Sequence, residues 1–87
     1  MDLNEYRSKI ITKVYHITHK EEVPLHNHPN LDEVFYCIKG KGLGVLEDTE
    51  IELETGKVFI VPAGVLHSVR TEGEIFVCSF QIPPVED

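Results

Sequence analysis

His26 and His28 stand two residues apart, Glu33 follows His28 by five, and His67 lies far along the 87-residue chain. Imidazole and carboxylate together are the ligand types of borderline transition metals. Spacing decides whether they can cooperate. At i, i+2 two side chains diverge on a helix, but on a strand they share a face, roughly 6.6 Å apart along it. Such a pair is a metal-ligand candidate and also an ordinary surface feature. Pro29-Asn30 reverses the chain, so the next extended run can return beside the first. Alternation then places Glu33, Phe35 and Cys37 on one face and Val34, Tyr36 and Ile38 on the other. A carboxylate on a face with Phe and Cys needs a partner. A metal is one partner, and water at the rim of a sheet is another. Asp32 faces the opposite way. Val65, His67 and Val69 share a face, with Leu66, Ser68 and Arg70 on the other. His67 thus points inward between two valines, as a satisfied core residue or as a third imidazole opposite the pair.

The elements that must position these groups are strands. Apolar residues are mostly β-branched or aromatic and come in short runs, with Gly, Pro, Asn or Asp between them. The pattern predicts strands over 9–17, 23–28, 32–39, 42–47, 50–54, 57–61, 65–71 and 74–82. Short reversals are expected at Gly40-Lys41-Gly42, Glu47-Asp48-Thr49, Thr55-Gly56, Pro62-Ala63-Gly64 and Glu72-Gly73. The five prolines fall at run boundaries, where a sheet tolerates them. No long helix, linker, repeat or low-complexity tract is evident. The expectation is one all-β barrel of about eight short antiparallel strands within residues 1–87.

Two stretches resemble a known family. His26-Asn-His28-Pro-Asn-Leu-Asp-Glu33, continuing through six residues to Gly40, is similar to the first cupin motif, H-x-H-x(3,4)-E-x(6)-G. Gly56 through Pro62 and Gly64 to His67 is similar to the second, G-x(5)-P-x-G-x(2)-H. Fifteen residues separate Gly40 from Gly56. The resemblance implies a double-stranded β-helix, the jelly-roll barrel of the cupins, with a divalent transition metal held by His26, His28, Glu33 and His67. Such a donor set suits Fe, Mn, Ni, Cu or Zn. Two positions depart from the family pattern: Lys20 stands where a glycine precedes H-x-H, and Thr71 where an asparagine follows the last His.

Composition narrows the function. Eight Lys and Arg against fifteen Asp and Glu give a net charge of -7, which argues against nucleic-acid and anionic-membrane partners. No apolar run approaches the roughly 20 residues of a membrane span, and Met1 to Lys9 is too polar for a signal peptide. Cys37 and Cys78 read as reduced, buried thiols of a cytoplasmic protein. His16 and His19 read as surface residues without a matched acid. The expected inward face is apolar, drawn from Phe35, Phe59 or Ile60, Val65, Val69, Phe76 and Phe80. Cys37, Cys78, Ser79 and Gln81 are the candidates for orienting a substrate, with Tyr36 added if the register turns its face inward. No cation is expected there, so the expected ligand is small and neutral or aromatic. Cupins include dioxygenases, and the resemblance implies a dioxygenase-like or other metal-dependent enzyme. A non-catalytic metal-binding or sensing module is the alternative. Apolar residues on both faces of 32–39 and 74–82 predict a C₂ homodimer.

Overall fold

The computed structural model describes residues 1–85. A short helix, α1 (Leu3–Ser8), precedes six strands: β1 (Ile11–Thr18), β2 (Asp32–Leu46), β3 (Glu50–Glu54), β4 (Val58–Val61), β5 (His67–Arg70) and β6 (Glu74–Ile82). β2 is the spine. Its first half lies in an antiparallel sheet ordered β1-β6-β2-β4, and its second half runs between β3 and β5 in another.

Local turn residues predict two strands and a reversal where β2 runs unbroken. The register with β6 slips between Cys37 and Lys39, which marks a bulge, and Gly40 takes φ +96°. A bulge bends and twists a strand without ending its pairing, and glycine adopts positive φ without a side-chain clash. The chain therefore bends from one sheet into the next instead of turning back. The other expected reversals are present as turns or bends.

The 23–28 segment is the second difference. It forms no ladder, only a bridge in which His26 and His67 exchange backbone bonds of 3.1 and 2.9 Å. Pro24 and Pro29 have no N–H to donate on either side. The segment is held instead by the Ser68 hydroxyl, which donates to the Val23 carbonyl (2.8 Å), and by the Gly64 N–H, which donates to the His28 carbonyl (3.0 Å).

The core consists of Ile17, Phe35, Cys37, Leu53, Phe59, Val61, Val69, Ile75 and Val77. On β6 the inward residues are Ile75, Val77, Ser79 and Gln81, so the expectation for Phe76 and Phe80 is reversed. Register decides this: Glu33 opposes Gln81, Phe35 opposes Ser79 and Cys37 opposes Val77, and direct cross-strand partners share a face. Phe76 and Phe80 are half-buried on the outer face, Ile60 is exposed beside buried Phe59, and Val65 lies in the exposed turn before β5. Both cysteines are free, with Cys37 buried and Cys78 half-buried. Burial pushes the Cys37 thiol up, and nearby Glu54 adds to that, against a backbone hydrogen bond at Lys39 that lowers it.

Helix α1 carries no apolar periodicity and buries nothing, which is why hydrophobic patterning does not reveal it. It is started by Asp2, whose carboxylate accepts the Asn4 and Glu5 N–H groups at 3.0 and 3.3 Å. The Tyr6 hydroxyl ties it to the Pro83 carbonyl at 2.6 Å.

Gly44 lies against the Phe59 ring, and an added Cβ would sit 2.6 Å from it. Gly44→Ala is expected to destabilise the fold by about 1–3 kcal/mol through overpacking. Roughly 4–8 °C of melting temperature accompanies each kcal/mol in a domain this size. Gly73→Ala, whose Cβ would meet nothing within 4 Å, is the control. Equal melting curves for the two variants in circular dichroism would contradict this packing.

Candidate metal centre

Four side chains from separate parts of the chain meet at one end of the inner face. β2 contributes Glu33, β5 contributes His67, and the 23–28 segment contributes His26 and His28. One potential ligand atom from each lies within 4.8 Å of the others. Glu33 and His67 are only 2% and 1% exposed, whereas His26 and His28 are half-buried, so the cluster is closed beneath and open above.

Hydrogen bonds fix the orientation of each group. His67 Nδ1 lies 2.8 Å from the Val65 carbonyl, and His26 Nδ1 lies 3.1 Å from the Pro24 carbonyl. A carbonyl only accepts, so both Nδ1 atoms carry the hydrogen and each neutral ring turns a bare Nε2 to the site. His67 Nε2 is 2.8 Å and His28 Nε2 3.2 Å from the same oxygen, Glu33 Oε1. The other oxygen, Oε2, accepts from the Ser79 hydroxyl and from Gln81 Nε2, the latter at 3.5 Å. A bare His67 Nε2 facing a carboxylate oxygen at 2.8 Å sets lone pair against lone pair, which requires positive charge between them, either a proton on that imidazole or a cation. The donor set therefore fits a metal ion.

The carboxylate itself is under opposing influences. Burial works to raise the Glu33 pKa. The Ser79 and His67 hydrogen bonds, with the charges of His28 and His67, outweigh it and hold the carboxyl below its ordinary value.

Beside the cluster opens a cavity of about 260 Å³, with Ile17, Val23, Phe35 and Val69 as its apolar lining. Lys13, Tyr15, His16 and Glu21 also reach it. Lys13 and Tyr15 are not among the residues that the sequence pattern points to, and Lys13 corrects the expectation of no cation there. They alternate with Ile17 along β1, but only the register with β6, Lys13 opposite Ser79 and Tyr15 opposite Val77, turns that face inward.

The remaining candidates separate cleanly. Ser79 and Gln81 touch Glu33. Cys37 is in the core, its thiol 3.6 Å from the Gly40 carbonyl, while Tyr36 and Cys78 lie on the outer face of the sheet. Asp32 accepts the Ala63 N–H at 2.8 Å and so braces the turn before His67. His16 does have an acid: its Nε2 is 2.9 Å from Glu74, and its ring stacks on Phe76 with centroids 4.1 Å apart. His19 is exposed. Lys20 is in an exposed turn, and Thr71 bonds the Lys41 carbonyl at 2.6 Å beside a different cavity. Neither departure from the motif touches the cluster.

A depressed carboxyl pKa stabilises the fold above its unfolded value, and that contribution is lost as pH falls through the folded value. Wild-type protein with chelator should therefore exceed Glu33→Gln in stability at pH 6, by about 3 kcal/mol for a broken buried pair. The difference should shrink as pH falls below the ordinary carboxylate range. Thermal melts across this range read it, and a difference independent of pH would contradict the charged pairing.

The chain matches the cupin domain family over residues 13–80. It is 30% identical over 64 residues to the uncharacterized protein MJ1618 of Methanocaldococcus jannaschii, a match covering 69% of this chain and 50% of that protein. The chain thus spans about half the length of this curated relative. Among solved structures, a cupin-2 domain containing protein from Shewanella frigidimarina superposes with a TM-score of 0.75 at 25% identity, over 86% of this chain and 71% of that one. A predicted oxalate decarboxylase from Thermotoga maritima gives 0.80 at 17% identity, over 97% and 76%. The DMSP lyase DddQ from Ruegeria pomeroyi gives 0.78 at 20% identity, over 90% and 40%. The last two likenesses speak to fold alone. With two antiparallel sheets, a His/Glu cluster on their inner face and a family match over most of its length, the chain is a member of the cupin family, with the double-stranded β-helix fold.

Proposed function

We propose that His26, His28, Glu33 and His67 hold one divalent transition metal, Fe, Mn, Ni, Cu or Zn, and that the protein is a metal-dependent, dioxygenase-like enzyme acting on a small molecule. The observation that carries the metal reading is the convergence of His67 Nε2 and His28 Nε2 on one carboxylate oxygen while the His67 Nδ1 proton is committed to a carbonyl. When bound, the metal would supply Lewis-acid or redox chemistry. The chain's own residues do the positioning. Val65 and Pro24 lock two imidazoles by their carbonyls, and Ser79 and Gln81 hold Oε2 so that Oε1 stays with the histidines. Phe35 and Val69, both buried, exclude water from one side of the cavity. A non-catalytic binding or sensing module is the second reading. It is favoured by the apolar part of the lining, Ile17, Val23, Phe35 and Val69, which can bind a ligand but carries no chemistry.

The same proposal includes one cupin domain within residues 1–87, cytoplasmic residence and a C₂ homodimer, without nucleic-acid or membrane partners. Two free cysteines support a reducing compartment, and the net charge of -7 weighs against polyanions. No helix among the described residues is long and apolar enough to cross a membrane. The dimer is supported by the outer face of the β1-β6-β2-β4 sheet. Register aligns Val14, Cys78, Tyr36 and Val58 in one row across it, and Phe80, Val34 and Ile60 in the next. Val14 and Ile60 are 67% and 66% exposed there. A contiguous apolar patch of this kind usually marks an interface.

Untagged protein is expected to bind about one metal ion per chain. Affinity should fall as the solution is made more acidic, because binding the ion displaces protons from imidazole. A His26→Ala, His67→Ala double variant should lose the ion, and Ser79→Ala should weaken it about 10–100-fold. Elemental analysis and competition with a chelator measure this, and undiminished binding by the double variant would end the proposal. Oxygen uptake by iron-loaded protein then separates enzyme from binding module.

Light scattering at micromolar concentration is expected to give twice the chain mass. Tyr36→Glu should give a monomer that still binds metal. A wild-type mass of one chain, unchanged on concentrating, would defeat the dimer.

A further inference from the structure

Outside the metal cluster and Tyr15, the titratable side chains at the cavity are Lys13, His16 and Glu21. Two of them are already engaged. His16 pairs with Glu74 at 2.9 Å. Glu21 accepts the Thr18 N–H at 3.2 Å and the Thr18 hydroxyl at 3.4 Å, which fastens it to the turn after β1. Lys13 has no carboxylate within 4.0 Å among the described residues.

Its position is specific. Lys13 lies directly opposite Ser79 in the β1–β6 ladder, so the two project from the same face. Ser79 is fully buried and donates to Glu33. The exposed Lys13 side chain thus rises from the same face as the hydroxyl that orients the cluster carboxylate, and it lines the cavity. A chain of net charge -7 repels anions at long range, so an unpaired cation in the wall of a cavity has a local effect of opposite sign. The rest of the wall is largely apolar, and 260 Å³ is the room of about nine water molecules at about 30 Å³ each.

We propose that this cavity selects a small monocarboxylate with an apolar body, its carboxylate answered by Lys13. The proposal departs from the sequence-based expectation of a small neutral or aromatic ligand by giving that ligand a carboxylate. A second negative charge on the ligand is disfavoured by Glu21 on the same wall. The inference rests on the proposed function for where the reaction occurs, but its evidence is the wall and not the metal.

Calorimetric titration tests it with benzoate, benzamide and phthalate on zinc-loaded and metal-free protein, in wild type, Lys13→Gln and Lys13→Arg. Folding of the variants is checked by circular dichroism. Benzoate is expected to bind about tenfold tighter than benzamide, as a charge-assisted contact allows. Lys13→Gln should remove most of that preference while leaving benzamide unchanged, Lys13→Arg should keep it, and phthalate should bind more weakly than benzoate. A benzoate preference that survives Lys13→Gln undiminished, or no benzoate binding at millimolar concentration, overturns the proposal. Phthalate binding as tightly as benzoate overturns its single-charge part. A chain that takes up no zinc defeats the metal reading, and the Lys13 comparison is then read on the metal-free protein. Zinc uptake without a Lys13-dependent preference defeats the substrate class alone.

Discussion

A carboxylate lies at the inner end of the barrel with 2% of its surface exposed, and Glu33 could not remain ionised there without compensation. Desolvation is the largest single influence on it and acts to protonate it. What keeps it charged is an array of donors and cations from three other places in the chain: Ser79 and Gln81 on β6, His67 on β5, and His28 before β2. Each must arrive in register, because a slip of one residue turns every side chain of a strand to the opposite face. Barrel closure and site assembly are therefore one event. A misregistered β6 would bring Phe80 where Ser79 belongs and leave a buried acid beside a benzene ring.

The bend in β2 makes that event possible in so short a chain. One strand pairs with β6 and β4 in its first half and with β3 and β5 in its second. Glu33 sits near its start, and Leu46, near its end, pairs with His67. The bulge at Ile38 and the positive φ of Gly40 swing the second half across, which carries β5 back over the start of the same strand. The bridge between His26 and His67 then fastens the segment bearing the other two imidazoles. Because that segment has no ladder of its own, its position is set by tertiary bonds to Ser68 and Gly64, both flanking His67.

The sheet formed by β1, β6, β2 and β4 serves two environments. Its inner face turns Lys13, Tyr15, Ser79, Gln81 and Glu33 toward the cavity and the cluster. Its outer face carries Val14, Phe76, Phe80, Val34, Tyr36 and Ile60. Polar groups gather inside and apolar groups outside near the site, the reverse of an ordinary soluble sheet.

Local sequence determined much of this on its own. Two-residue alternation made the all-β reading unavoidable and oriented Glu33 against Tyr36 without reference to any partner. The spacing of His26, His28, Glu33 and His67, with Gly40, Gly56, Pro62 and Gly64 as turn and bend residues, resembled the cupin motifs closely enough to identify the fold and name the cluster. Strands over 50–54 and 74–82 agree residue for residue, since their boundaries are written in local turn chemistry. What tertiary structure decided was everything that depends on a partner. Whether Gly40 reverses the chain or bends it is settled by β6 pairing past the bulge. Whether 23–28 is a strand is settled by Pro24 and Pro29 denying it a ladder. Which face of β6 looks inward, and hence that Ser79 and Gln81 rather than Phe80 meet Glu33, is settled by register with β2. The inward turn of Lys13 follows from the same ladder one strand further on. Alternation alone divides a strand into two faces. Which of them is the inside is a property of the neighbour, because burial is defined only once a second element covers it.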